Sequence, residues 1–91
     1  MKPETIAVHA GNVQDKQTGA VIGPLVTSTT FLRNEEGGYN SGYQYARSAN
    51  PNRTALEKVL AALEGGADAC AFSSGVAAGM ILFQALEPGS H

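Results

Sequence analysis

The stretch Asp68-Ala69-Cys70-Ala71-Phe72-Ser73-Ser74-Gly75-Val76-Ala77-Ala78-Gly79-Met80-Ile81-Leu82-Phe83-Gln84-Ala85-Leu86 decides how this chain is built. Ala69 to Phe72 is a short apolar run between polar residues, the pattern of a buried strand. Ser73-Ser74-Gly75 then supplies turn chemistry and a capping hydroxyl. From Val76 to Leu86 the chain is almost wholly apolar, and the reading is a helix. A strand, a tight turn and a helix start together aim free backbone N–H groups at one point. Those unpaired donors, with the partial positive charge of the first helical turn, suit an anion. Phosphate is the expected guest, although a plain Ser-Gly helix cap reads the same residues without one.

The same stretch asks for neighbours. A helix apolar on every side needs cover on every side. A strand apolar on both faces belongs in a sheet flanked by helices. No second strand of that kind accompanies it, and Pro88-Gly89-Ser90 turns the chain where a βαβ unit would lead to its next strand. The expectation is the opening segment of a larger α/β protein. At 91 residues, burial in a self-sufficient domain is marginal in any case.

Bulk properties exclude several classes. A formal net charge of −2, with six scattered basic residues, offers no electrostatic footprint for nucleic acid. The apolar run Val76 to Phe83 is far shorter than the roughly 20 residues of a membrane span. The Met1-Lys2-Pro3-Glu4-Thr5 opening lacks the apolar core of a secretory signal. Cys70 stands alone, which suits a reducing cytoplasm and reads as a small buried hydrophobe. His9, Cys70 and His91 have no ligand spacing, so no metal site is expected.

Working outward toward the N-terminus, Asn50-Pro51 is a strong helix start, with a capping side chain followed by a residue whose missing N–H costs nothing. Leu56, Val59, Leu60 and Leu63 follow at the spacing of one buried face. Gly65-Gly66 closes the helix, the first expected to be left-handed. The helix is therefore read over 51–64, with Arg53, Glu57 and Lys58 off the apolar face, and the 76–86 helix and its sheet are the expected packing surface. Before it, residues 33–50 form a long polar, glycine-rich passage holding all three tyrosines. Loops of this length are functional or disordered, and the aromatic residues argue against disorder. Val21 to Phe31 is β-prone but interrupted at Gly23-Pro24, so extended chain is expected there rather than sheet interior. Gln14 to Gly19 reads as a polar loop, and Thr5 to His9 as a helical turn ended by Gly11-Asn12.

Tyr45-Ala46-Arg47 sets a phenol and a guanidinium on alternate residues, which in extended chain point the same way. Arg makes paired planar hydrogen bonds to phosphate oxygens, and a Tyr hydroxyl can donate another. The bland alternative is a solvated loop with one exposed cation. Lys2, Lys16 and Lys58 all sit in places too solvated for a covalent nucleophile. The chain thus carries binding groups and no catalytic residue.

Taken together, Tyr43-Gln44-Tyr45-Ala46-Arg47-Ser48-Ala49-Asn50-Pro51, Leu56-Glu57, Leu63-Glu64-Gly65-Gly66 and Ala71-Phe72-Ser73-Ser74-Gly75-Val76-Ala77-Ala78 resemble the cysteine/methionine-metabolism family of pyridoxal-phosphate (PLP) enzymes. Ala7-Val8-His9-Ala10-Gly11 and Thr18-Gly19-Ala20-Val21 through Pro24 look like that family's N-terminus. The resemblance implies an α/β fold: an N-terminal arm over 1–49, then from 50 to 91 the first helix–strand–helix of a large domain. That domain is mostly parallel-sheet, of the aspartate aminotransferase-like fold type I. It implies that Tyr45 and Arg47 reach a neighbouring subunit's cofactor phosphate, while Ser74, Gly75 and Val76 hold the subunit's own. It further implies a cytoplasmic homotetramer, a dimer of dimers, acting on amino-acid substrates in transsulfuration. The expected activity is that of a cystathionine γ-synthase, with the lyases and O-acylhomoserine sulfhydrylases of the family as alternatives.

Departures from the family pattern are Val76 for Met, Ala46 for Ser, and Asn52 for Thr at a position expected to serve the helix start. The family's cofactor-binding Lys, the Asp facing the pyridinium nitrogen and the ring-stacking aromatic residue are expected outside these residues. Two readings outside the family remain open at this point. One is a short non-catalytic chain that binds partners through the apolar faces of 56–63 and 76–86. The other is a generic phosphate-binding βα unit.

Overall fold

The computed structural model describes residues 2–91, and three helices account for its regular structure: α1 (Pro3–His9), α2 (Pro51–Glu64) and α3 (Gly75–Gln84). The best-determined local signals act as read. Asn50 is the N-cap of α2, its side chain accepting from the Asn52 amide at 2.8 Å, and Pro51 occupies the first turn. Gly65 closes the helix in the left-handed region at φ 67°, which a Cβ would disfavour. Ser74 caps α3, its hydroxyl accepting from the Ala77 amide at 3.1 Å. Helix α1 starts two residues before the expected turn, with Pro3 in its first turn.

The expected strand at 69–72 is not one. Among the described residues no named strand forms, and the single bridge pairs Thr30 with Tyr45 antiparallel. A ladder needs a partner backbone, and no described segment lies alongside 69–72. That segment finds a side chain instead: the Ala71 amide donates to Glu57 Oε2 at 2.7 Å. Cys70, expected to be buried, is exposed for the same reason.

The packing of α2 also differs from expectation. It meets α1, while α3 touches neither helix. The approach runs through Gly11, at φ 76°, whose missing Cβ would collide with the Ala55 carbonyl and crowd Val59. The covered stripe of α2 is therefore Ala55 and Val59, and the row Leu56, Leu60, Leu63 stays open to solvent. On α3, Val76 and Phe83 are 74% and 72% exposed. None of the described residues is fully buried. The radius of gyration is 16.4 Å, against about 12 Å for a compact chain of this length. Apart from the α1–α2 contact, the apolar sides of the helices are unmatched among the described residues.

In place of a ladder, side-chain amides hold the extended 21–26 stretch. Asn12 Nδ2 donates to the Val21 carbonyl (3.0 Å) and its Oδ1 accepts from the Gly23 amide (3.3 Å). Asn52 Oδ1 accepts from the Val26 amide (2.8 Å), and its Nδ2 donates to the Pro24 carbonyl (2.9 Å). An Asn side chain presents one acceptor and donors side by side, the same pair a neighbouring strand would offer. The polar loop that follows α1 is fastened by Asp15, which accepts from Thr18 Oγ1 (2.7 Å) and the Gln17 amide (3.2 Å). The hydrogen bond from Thr18, then that from Gln17, holds the Asp15 carboxyl below its ordinary value of 3.8.

Two outcomes are expected. Asn52→Ala removes both contacts to 24–26, each with a net worth of about 0.5–1.5 kcal/mol, and hydrogen exchange at the Val26 amide accelerates by roughly tenfold or more. Asn52→Asp, which keeps the acceptor, retains most of that protection. The contribution of Asp15 has a depressed folded-state pKa, so it is present above the ordinary carboxylate range and lost as pH falls through the folded value. Order at Gln17 and Thr18, followed by amide chemical shifts, should fade in acid below about pH 3.8 and not on the alkaline side.

Candidate functional site

Tyr45 and Arg47 come together, by a route other than extended alternation. Residues 45–49 form a turn in which the Ser48 and Ala49 amides both donate to the Tyr45 carbonyl, at 3.1 and 3.0 Å. The turn folds Arg47 back over Tyr45, its guanidinium carbon 5.1 Å from the ring centroid and Nη2 donating to the Tyr45 hydroxyl at 3.3 Å. The segment is anchored on its other side by the Ala46 amide, which donates to the Thr29 carbonyl at 2.8 Å. The Tyr45 hydroxyl, accepting from Arg47, keeps its own proton free to donate, and most of the guanidinium's five N–H groups face solvent.

The preceding loop is ordered by its own contacts. Asn34 Oδ1 gathers the Glu36 and Gly38 amides (3.0 and 2.8 Å), closing the tip. Arg33 stacks over Tyr39 at 5.3 Å and Phe31 packs against Tyr43 at 5.7 Å. The Tyr43 hydroxyl reaches Thr54 Oγ1 at 3.4 Å, joining the loop to α2. Tyr43 thus fastens the loop to α2, while two tyrosines carry an arginine: Arg33 donates from Nε and Nη2 to the Tyr39 hydroxyl (3.3 and 3.1 Å), as Arg47 does to that of Tyr45.

At the second cluster, Ser74 spends its hydroxyl as an acceptor for Ala77, and its carbonyl accepts from Ala78 (3.2 Å). The Gly75 and Val76 amides donate to no described group and lie exposed. A cap thus satisfies one donor and leaves two aimed outward at the positive end of α3. An added Cβ at Gly75 meets nothing within 4 Å, so the approach to these amides is open. Gly79 is equally open and forms no close helix contact among the described residues.

No hydrogen bond, ion pair or ring contact joins the two clusters within the described residues. What connects them indirectly is α2. Arg53 donates from Nη1 to the Arg47 carbonyl (3.3 Å) and from Nη2 to the Ser48 carbonyl (2.8 Å), and its Nε lies 3.8 Å from Glu57 Oε2. Sequence reasoning placed Arg53 and Glu57 off the apolar face without assigning them partners. Their i, i+4 spacing was the available signal. A cleft of about 810 Å³ between α1, the 21–26 stretch and α2 contains neither cluster. Its walls combine Val8, Val13, Val21, Ile22 and Val59 with a few polar residues, Lys58 and Asp15 among them.

Two converging facts are on hand: a paired phenol–guanidinium and two bare amides at a capped helix start. A profile of the family described as "Cys/Met metabolism PLP-dependent enzyme" matches residues 4–91. The chain belongs to that family. It is 51% identical over 90 residues to the cystathionine γ-synthase of Mycobacterium tuberculosis, covering 98% of this chain and 23% of that protein. It is 42% identical over 88 residues to a cystathionine β-lyase of Coxiella burnetii, covering 97% and 22%. The solved yeast cystathionine γ-lyase superposes with a TM-score of 0.88 at 44% identity, over 100% of this chain and 23% of that one. The chain therefore spans about a quarter of the length of these family members, and its helices and linkers follow their arrangement. PLP is the family's cofactor, and both clusters carry the donor set that its phosphate group needs. Among the described residues no group of three or more His, Cys, Asp or Glu gathers, and no helix is long and apolar enough to cross a membrane.

The cap itself is open to test. Ser74→Ala should cost about 1 kcal/mol at the start of α3, speeding exchange at the Ala77 amide, and Ser74→Gly should cost only a few tenths. Equal effects of the two substitutions would separate the Ser74 hydroxyl from the helix start.

Proposed function

We propose that this chain is the phosphate-gripping N-terminal part of a PLP-dependent transsulfuration enzyme, most closely a cystathionine γ-synthase. The observation that carries it is the pairing, in one short chain, of the Arg47–Tyr45 stack with the unpartnered Gly75 and Val76 amides. A dianionic phosphate needs several donors at fixed angles, and charge-assisted ones are roughly twice as strong as neutral ones. Gly75 and Val76 supply backbone donors to the subunit's own cofactor, Ser74 shapes that turn, and Tyr45 and Arg47 serve a neighbouring copy. Residues 1–49 act as the arm that crosses and residues 50–91 begin the cofactor-binding domain of a mostly parallel-sheet, fold type I enzyme. The exposed rows on α2 and α3 are then the surfaces that the remaining layers and the neighbouring subunit cover in a cytoplasmic dimer of dimers.

When bound, PLP supplies an electron sink for carbanion chemistry on an amino acid. The residues described here do not perform that chemistry. They hold the phosphate and fix where the ring can lie, and a catalytic lysine belongs to the rest of such an enzyme. The substrate pair for a synthase is an O-acylhomoserine and cysteine. The strongest support for synthase is the higher identity to the mycobacterial synthases; the 41–45% identity to lyases keeps cystathionine cleavage as the second reading.

Arg47→Ala in the intact enzyme should weaken PLP binding by about 1.5–3 kcal/mol, the worth of a hydrogen bond to a charged group, with the fold retained. An unchanged cofactor affinity would remove Arg47 from the site. Supplied with O-succinylhomoserine and cysteine, the enzyme should form cystathionine; release of a keto acid from cystathionine with no synthesis would assign it to the lyases.

A further inference from the structure

We propose that Arg53 and Glu57 are positioning residues for the cofactor phosphate, a single i, i+4 pair on α2 that sets both donor clusters in one frame. The inference rests on the phosphate-binding reading above and deepens it. Arg53 forks onto two successive carbonyls, Arg47 at 3.3 Å and Ser48 at 2.8 Å, so it grips the backbone of the residue whose side chain is to meet phosphate. Glu57 Oε2 takes the Ala71 amide at 2.7 Å, three residues before the cap at Ser74. The same oxygen lies 3.8 Å from Arg53 Nε. A chain of contacts therefore runs from the Arg47 backbone through a guanidinium and a carboxylate to the segment entering α3.

Magnitudes show which contacts matter. The two side chains are 35% and 20% exposed, and an ion pair at such a site contributes little by itself. The hydrogen bonds that the charged groups make to neutral backbone are each stronger than that. The pair's main effect is thus positional: charge neutralisation lets each partner sit in place while it holds a backbone. Segment 69–72 lacks a ladder, and 46–48 is otherwise held on its far side, by the Ala46 amide on the Thr29 carbonyl. On the proposed assembly the two ends serve different cofactors, so one helix couples neighbouring sites.

The test uses the full-length enzyme, stripped of cofactor and titrated with PLP, with the bound-cofactor absorption band giving the dissociation constant and circular dichroism confirming the fold. Arg53→Gln should raise that constant about fivefold or more in the wild-type background and add nothing in an Arg47→Ala background, because it acts through Arg47. Glu57→Ala should raise it by a similar factor in both backgrounds, because it acts on the other cluster. Glu57→Gln, which keeps an acceptor for the Ala71 amide, should recover most of the loss. Should Arg53→Gln unfold the protein, Arg53→Lys, which keeps the charge without the fork, takes its place with the same expected pattern. Folded variants with unchanged PLP affinity, or an Arg53 effect that adds in full to that of Arg47→Ala, would overturn the proposal. Loss of affinity in Arg47→Ala alone would leave the phosphate reading standing while ending this one, whereas no effect in Arg47→Ala would end the phosphate reading itself.

Discussion

Several segments outside the three helices are fastened to the start and polar side of α2. Asn50 starts the helix, Asn52 holds 24–26, Arg53 holds 47–48, Thr54 meets Tyr43, and Glu57 holds 71. A helix presents side chains at fixed rises and angles, so five successive or near-successive polar residues become a rack of brackets at set spacings. Extended segments with no sheet to join need their backbone groups satisfied from somewhere, and side-chain amides and charges on a rigid rod do it. The arrangement inverts the usual division of labour, in which a sheet orders the backbone and helices cover it. Here the helix orders the backbone first, and its apolar row of Leu56, Leu60 and Leu63 stands ready for a layer still to be laid.

What was legible in the sequence was local, and it was legible because its causes are local. Asn50-Pro51 and Gly65 fix the ends of α2 through one side-chain acceptor, one missing N–H and one left-handed backbone, none of which depends on distant chain. Ser74 reads as a cap for the same reason. The expected strand at Ala69 to Phe72 failed because a strand is a relation between two backbones, and periodicity shows only one of them. The buried face on α2 was only partly legible: Val59, one of its four positions, is covered, but Gly11 decides that the Ala55–Val59 side meets α1, and the three leucines stay open. The pairing of Tyr45 with Arg47 was expected for alternation in extended chain, yet a turn produces it, so the residue types were right and the geometry was not. Asn52 and Arg53 were overlooked as brackets because their partners lie in other segments, at sequence separations of 5 to 28.

Membership of the PLP family gives these observations a common purpose. A phosphate carries its charge on oxygens spread over a tetrahedron, so donors must arrive from more than one direction. On the proposed function, one helix start supplies amides from a narrow cone, and a guanidinium with a phenol supplies the rest from a separate segment. Amide and guanidinium N–H groups cannot satisfy one another, so only acceptors elsewhere in the chain could consume them. The two segments stay apart, joined through α2 and not by direct contact, and both sets are left unspent.

That separation has a further consequence for how tightly the ligand can be held. Each donor left bare is exposed to water, where its net contribution on binding is only that of an exchange of partners. The contribution grows when water is excluded, since the same charge interaction strengthens as the local dielectric falls. The open apolar rows of α2 and α3 are the surfaces whose covering would bring about that exclusion. On the proposed function, the grip on phosphate tightens as the apolar rows are covered.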